Sequence, residues 1–310
     1  MAFFTRRDKD SKDGQAKAAE TEALAERPSG ALARQAFSLT VGGLEAALLK
    51  EFPAEDAEPW DRTGVLVGER ALPVRKVAVA LDPTVAAIRE AAEGGCNVLL
   101  THHPAFLQAP DAFAPEASDA LCPGAGVWAA IQNQVALMDF HTALDVSPRA
   151  SRVIPRMLGL APKGAFLEPL ASTKRKGYGA VCEVRAGDAP ETLGRLAARC
   201  TSVFGRQPRV WGDFDAPVRT VATATGSAGT LGRACLAQGV DCLICGEMKY
   251  HEALELAGAG LAVIELGHDV SELPLVAVLA EALLRAGVPE DRVTVIDQGA
   301  NWAYPEAIRL

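Results

Sequence analysis

Apolar positions along most of this chain fall into short continuous runs separated by stretches with helical spacing. Lys76–Leu81 (KVAVAL), Asn97–Leu100, Val135–Asp139, Ala180–Val184, Val218–Ala224, Val240–Cys245, Ala262–Leu266 and Val293–Ile296 read as strands. Ser38 or Thr40 can cap a helix running through Leu44, Leu48 and Leu49 to Phe52. Further helices are predicted through Val85, Ile88 and Ala92, and over Val127–Gln134, Thr192–Phe204, Thr230–Gln238, His251–Ala257 and Glu272–Ala286. Buried strands alternating with amphipathic helices predict an α/β fold of two interleaved lobes with mainly parallel sheets. Proline and glycine around Pro155–Gly164 suggest a division between residues 37–165 and 166–310. Residues 1–36 mix acidic and basic side chains without an apolar core, so a mobile charged tail is expected there, and neither a secretory signal nor a mitochondrial presequence.

Composition narrows the possibilities. The 310 residues are 49% hydrophobic and 23% charged, with a net charge of −8. That balance disfavours a nucleic-acid partner, which calls for a basic face. It leaves room for a small phosphate-bearing ligand in a local pocket. No run of 18 apolar residues is present, so no membrane span is expected. Seven scattered cysteines suit a reducing, cytoplasmic setting better than a disulfide framework. Cys242 and Cys245 form a C-x-x-C, but on a strand residues three apart point to opposite faces. They read as small core residues and not as a thiolate site.

The chemistry lies with the histidines. His102, His103, His141, His251 and His268 all come just after predicted strands, and in open α/β sheets ligands bind beyond the carboxyl ends of strands. Acids accompany three of them: Asp145 follows His141 by four residues, Glu247 precedes His251 by four, and Glu272 follows His268 by four. On a helix, the last pair would share one face. Imidazole nitrogens with carboxylate oxygens suit zinc, manganese, iron, cobalt or nickel better than calcium. The adjacent His102 and His103 favour a site with more than one ion, because neighbouring side chains diverge.

The motifs Thr101-His102-His103-Pro104, His141-Thr142-Ala143-Leu144-Asp145, Gly246-Glu247-Met248-Lys249-Tyr250-His251 and Gly267-His268-Asp269-Val270-Ser271-Glu272 resemble those of the Nif-three-like family. Its bacterial members are known as GTP cyclohydrolase 1 type 2 homologs. Trp60-Asp61-Arg62-Thr63-Gly64-Val65-Leu66-Val67-Gly68 resembles the family's N-terminal signature, and Thr225-Gly226-Ser227-Ala228-Gly229 its glycine-rich turn. The resemblance implies a dinuclear metal centre between the lobes, with two ions per chain held by His102, His103, Asp145, His268 and Glu272. Asp145 and Glu272 are then the candidates for bridging. It also implies a homohexameric ring. The stretch between Asp145 and His268 fits the form without an inserted middle domain. The chain departs from the pattern at Arg62, Ala143 and Asp269, where the family usually carries Asn, Asn and Tyr.

Such a site suits a metal-dependent hydrolase or cyclohydrolase acting on a nucleotide-like substrate, with His141, Glu247 or His251 moving protons. A phosphatase could use the same ions. The alternative is a non-enzymatic protein for metal storage, delivery or sensing. Gly226, Ser227 and Gly229 could hold an anion through backbone N–H groups, or could simply form a tight turn.

Overall fold

The structure, a computed structural model, describes residues 38–115, 122, 124–185, 190–299, 301, 302 and 305. The expected tail at 1–36 lies outside the described residues. In chain order the elements are α1 (Val41–Leu48), β1 (Thr63–Val67), β2 (Val77–Ala80), α2 (Val85–Glu93), β3 (Val98–Thr101), α3 (Ala125–Gln132), β4 (Ala136–Phe140), α4 (Thr142–Asp145), α5 (Val153–Leu158), β5 (Ala161–Leu170), β6 (Thr173–Glu183), α6 (Leu193–Phe204), β7 (Arg209–Trp211), β8 (Thr220–Thr223), α7 (Leu231–Ala237), β9 (Cys242–Cys245), α8 (Tyr250–Gly258), β10 (Ala262–Glu265), α9 (His268–Arg285) and β11 (Val293–Val295). Thr40, Thr84 and Thr192 cap α1, α2 and α6 by accepting the N–H of Gly43, Ala87 and Arg195.

Two sheets result. The first runs β1-β4-β3-β2-β11, parallel except where β1 pairs with β4. The second runs β5-β6-β8-β9-β10-β7 and is mixed: β8, β9 and β10 are parallel, while β5, β6 and β7 pair antiparallel. In β2, β3, β4, β9 and β10 every residue is buried. That is the signature of strands covered on both faces, and it explains why they read as unbroken apolar runs.

The chain does not divide cleanly at residue 165. Pro155 lies in the first turn of α5, where its missing N–H costs little. Residue 165 itself falls within β5, which forms a long hairpin with β6 that the sequence pattern did not predict. β5 is largely exposed and carries Pro162 and Pro169, so its apolar period is weak. β1 was likewise unforeseen. At the other end, β11 pairs with β2 of the first sheet. Leu275, Leu279 and Leu283 of α9 enter the core beneath β2 and β3. The late part of the chain therefore belongs to the first sheet, and α9 links the two cores.

Register sets up the site. Ala80, Thr101 and Asp139 stand side by side at the ends of β2, β3 and β4. Cys245 and Glu265 stand side by side at the ends of β9 and β10. The residues that follow these strands therefore emerge together.

Candidate metal centre

His102 and His103 leave the end of β3 and are split by their immediate burial. His102 is wholly enclosed and its Nδ1 lies 3.2 Å from the Phe140 carbonyl oxygen. His103 turns the other way, with Nδ1 2.7 Å from Asp82 Oδ1. His268 opens α9 directly after Gly267, and its Nδ1 lies 3.0 Å from Glu247 Oε1. Each of the three rings thus has Nδ1 fixed by an oxygen, which leaves Nε2 to point inward. This is how metal-binding imidazoles are commonly oriented.

Glu272, one turn along α9 from His268, is where these nitrogens converge. His102 Nε2 lies 3.6 Å from Glu272 Oε1, and Nε2 of His103 and His268 lie 3.0 and 3.2 Å from Glu272 Oε2. Asp145, at the end of the short α4, places Oδ1 3.7 Å from His102 Nε2 and receives the Thr225 hydroxyl proton at 3.0 Å. Three candidate ligand groups follow: His102, Asp145 and Glu272; His103, His268 and Glu272; and His102, His103 and His141. The adjacent histidines part company in the two groups that contain Glu272 and come together in the third, with His141. Glu272 belongs to two of the groups, whereas Asp145 falls in one of them.

The residues fit metal ions on three independent grounds. His102 Nε2 and Glu272 Oε2 are buried and have no aligned hydrogen-bond partner, although buried polar atoms normally find one. The donors are imidazole nitrogen and carboxylate oxygen, the set preferred by zinc and its transition-metal neighbours. The backbone also leaves space for the shared carboxylate: Gly226 has φ +58°, and a Cβ there would come 2.2 Å from Glu272 Oε1.

The electrostatics agree. Burial alone would raise the Glu272 carboxyl, but His102, His103 and His268 hold it far below the usual range. Burial opposes a charge on His103, yet Asp82 and Glu272 lift it to about 10. Glu272, ahead of Glu247, lifts His268 to about 9. Burial pushes Asp145 up, with His102 opposing. Without a metal, protons hold this ring of acids and bases together.

Of the other predicted residues, His141 stays with the cluster and His251 does not. His141 adjoins the cluster, its ring 5.2 Å from that of His102, and Asp61 Oδ1 holds its Nδ1 at 3.0 Å. Asp61 also accepts the backbone N–H and hydroxyl of Thr142, so it fixes the start of α4. Glu247 is more than half exposed and its contact is with His268, which makes it an orienting neighbour of that ring. His251 is exposed on α8, packs its ring on Tyr250, and lies in none of the ligand groups. The turn Gly246–Lys249 carries the chain away from the strand end before His251 is reached. The Gly226 and Ala228 N–H groups are already donated, to Ser271 Oγ and to the Glu247 carbonyl oxygen. Ser227 and Gly229 line a cavity beside the cluster. Cys242 and Cys245 are buried in different core clusters, apart from the site. Asp82 and Asp61 received no role from the sequence. Asp82 had a signal all the same, since it follows the KVAVAL strand as the histidines follow theirs.

The fold and this cluster define an α/β protein with a candidate metal centre at the carboxyl ends of its strands. Residues 39–300 match the model of the Duf34/NIF3 (NGG1p interacting factor 3) family, and the chain belongs to that family. It is 34% identical over 229 residues to a GTP cyclohydrolase 1 type 2 homolog of Streptomyces coelicolor, covering 72% of this chain and 78% of the relative. A protein of the same name from Clostridium acetobutylicum is 30% identical, covering 76% of this chain and 87% of that one. Among solved structures, a hypothetical protein of Staphylococcus aureus superposes with a TM-score of 0.76 at 22% identity, covering 86% of this chain and 99% of that one. A Bacillus cereus protein related to NIF3 gives 0.71 at 19% identity, covering 88% and 99%. No helix among the described residues is long and apolar enough to cross a membrane.

Proposed function

We propose that this protein is a metal-dependent hydrolase or cyclohydrolase that holds two divalent transition-metal ions and acts on a nucleotide-like ring. The observation that carries this reading is the convergence of three Nδ1-anchored imidazoles on the single buried carboxylate of Glu272. His102, Asp145 and Glu272 would hold one ion, and His103, His268 and Glu272 the other. Bound ions of this kind supply Lewis acidity and make water a nucleophile near neutral pH.

The chain's own residues supply the rest. Asp61 commits His141 Nδ1, so Nε2 is the nitrogen left to exchange a proton with a ligand in the adjoining cavity. Asp82 and Glu247 keep His103 and His268 aimed inward. The cavity, about 550 Å³, is of the size that encloses small organic ligands. The names of the curated relatives support the ring-opening class of substrate. A homohexameric ring and a cytoplasmic setting complete the proposal, and light scattering of the purified chain tests the ring.

The experiment is elemental analysis of protein purified without added metal, followed by turnover of nucleotides and related heterocycles with and without chelator. Two ions per chain and chelator-sensitive turnover are expected. Glu272→Gln keeps the side chain's size but not its charge, so the variant should fold and lose one or both ions. A folded variant that retains two ions at full affinity would refute the shared-carboxylate site.

A further inference from the structure

The cavity beside the cluster extends well past the candidate ligands, towards β5, β6 and the turn after β8. Asp145, Glu272 and His268 form its metal end. Its far wall carries two further carboxylates, Glu58 and Glu168, together with Tyr178. Among the described residues no lysine or arginine lines it. Much of the remaining wall is alanine, glycine, Ile154 and Leu231.

These walls select by charge. Two ions shared among Asp145, Glu272 and neutral imidazoles would leave a positive metal end, able to take one oxygen of a ligand. Beyond that end the fixed charges are negative, and in a partly enclosed, apolar-walled space they act more strongly than in water. A polyphosphate tail meets carboxylates there and no cation, whereas specific phosphate sites are built from arginine, lysine or helix N-termini. The helix that follows the Gly226–Gly229 turn has only seven residues, and part of the turn's N–H set is already donated.

Two other features point to a flat ligand bearing N–H groups. The Tyr178 hydroxyl is enclosed at the far wall, beside Glu58 and Thr142. Burial, then the charges of Asp145 and Glu58, push its ionisation up, so it remains a neutral donor and acceptor. Trp60 is 55% exposed where it lines the cavity and meets the His141 ring edge-on at 5.9 Å, leaving an indole surface for stacking.

We infer that the cavity takes a flat nitrogen heterocycle or amidine-like ligand, neutral or cationic and free of polyphosphate. Such a ligand presents one oxygen or nitrogen to the metal end and N–H donors to Glu58 and Glu168. This rests on the hydrolase reading for the metal end only; the charge of the far wall is a property of this chain with or without ions.

Benzamidine, benzamide and benzoate test it, because they share one flat shape and carry a positive, zero and negative charge. Each is titrated by calorimetry into zinc-loaded and metal-stripped protein, and into the Glu58→Gln/Glu168→Gln double variant and both single variants. In stripped protein benzamidine should bind at least tenfold more tightly than benzoate, with benzamide between. Zinc should strengthen benzoate most and benzamide less, since both offer an oxygen to the metal end, and should not strengthen benzamidine. The double variant should lose about tenfold in benzamidine affinity, with each single variant losing less, while zinc content and the circular dichroism spectrum stay unchanged. Benzoate equal to or tighter than benzamidine in stripped protein would overturn the inference, as would variants that leave the ratio unchanged or an absence of binding by all three. A protein that takes up no zinc yet prefers benzamidine removes the hydrolase reading and keeps this one.

Discussion

The Nδ1 of His103 lies 2.7 Å from Asp82 Oδ1, and this contact between the ends of neighbouring strands β3 and β2 decides which ring nitrogen faces Glu272. Removing the carboxylate should free the ring to rotate without emptying the core, since Asp82 is a third exposed. Asp82→Ala is therefore expected to keep the fold and weaken metal binding by about 10–100-fold, the usual effect of losing an orienting partner. Asp82→Asn, which keeps an oxygen acceptor, should lose less. Competition against a fluorescent chelator reads both.

Gly226 and Glu272 make a second, steric prediction. Alanine at position 226 would need φ +58° and would bring Cβ to 2.2 Å from Glu272 Oε1. Glu272 is almost fully buried and cannot swing away. Gly226→Ala should thus displace the shared carboxylate and reduce the metal content of both groups that contain it, with secondary structure preserved. Full metal content in the folded variant would show that the close approach is not needed.

Metal-free protein should lose stability as pH rises. His103 at about 10 and His268 at about 9 bind protons more tightly folded than unfolded, where an imidazole titrates near 6.5. Their contribution is fully present below about pH 6.5 and disappears as pH rises through 9 and 10. The melting temperature of stripped protein should fall across that window. Metal binding needs neutral imidazoles, so metal affinity should rise with pH and added metal should offset the fall. Melting curves at pH 6, 8 and 10, with and without zinc, decide it.

The C-x-x-C thiols should be inert towards metal. Cys242 and Cys245 are enclosed, and burial pushes both thiols far up, so neither offers a thiolate in the native state. Replacing both with Ser should leave metal content unchanged and lower stability by about 1–3 kcal/mol per buried hydroxyl left without a partner. Loss of metal in a folded double variant would instead place thiolates at the site.

Much of this site was legible because its parts repeat one device, a polar residue set directly after a buried apolar strand. His102, His103, His141 and His268 carry that signal. The i, i+4 spacing of His268 and Glu272 was enough to put them on one face once Gly267 had started the helix. His251 carried a similar signal, and the turn between β9 and α8 sets it exposed on α8, outside the candidate ligand groups. The β5–β6 hairpin was hidden because an exposed, proline-bearing strand has little apolar periodicity to read.

Local sequence determined the buried strands, the capped helices and the residue types available for chemistry, because periodicity and capping depend on near neighbours along the chain. Only the tertiary structure decided which residues meet. The parallel register aligned the ends of β2, β3 and β4, so Asp82 came to orient His103, and the antiparallel pairing of β1 with β4 set Asp61 beside His141. The return of α9 across both cores brought Glu272 to histidines some 170 positions earlier in the chain. It also decided that Asp145 sits in one ligand group and Glu272 in two. These are long-range contacts fixed by strand pairing and core packing, and no short window of sequence contains them.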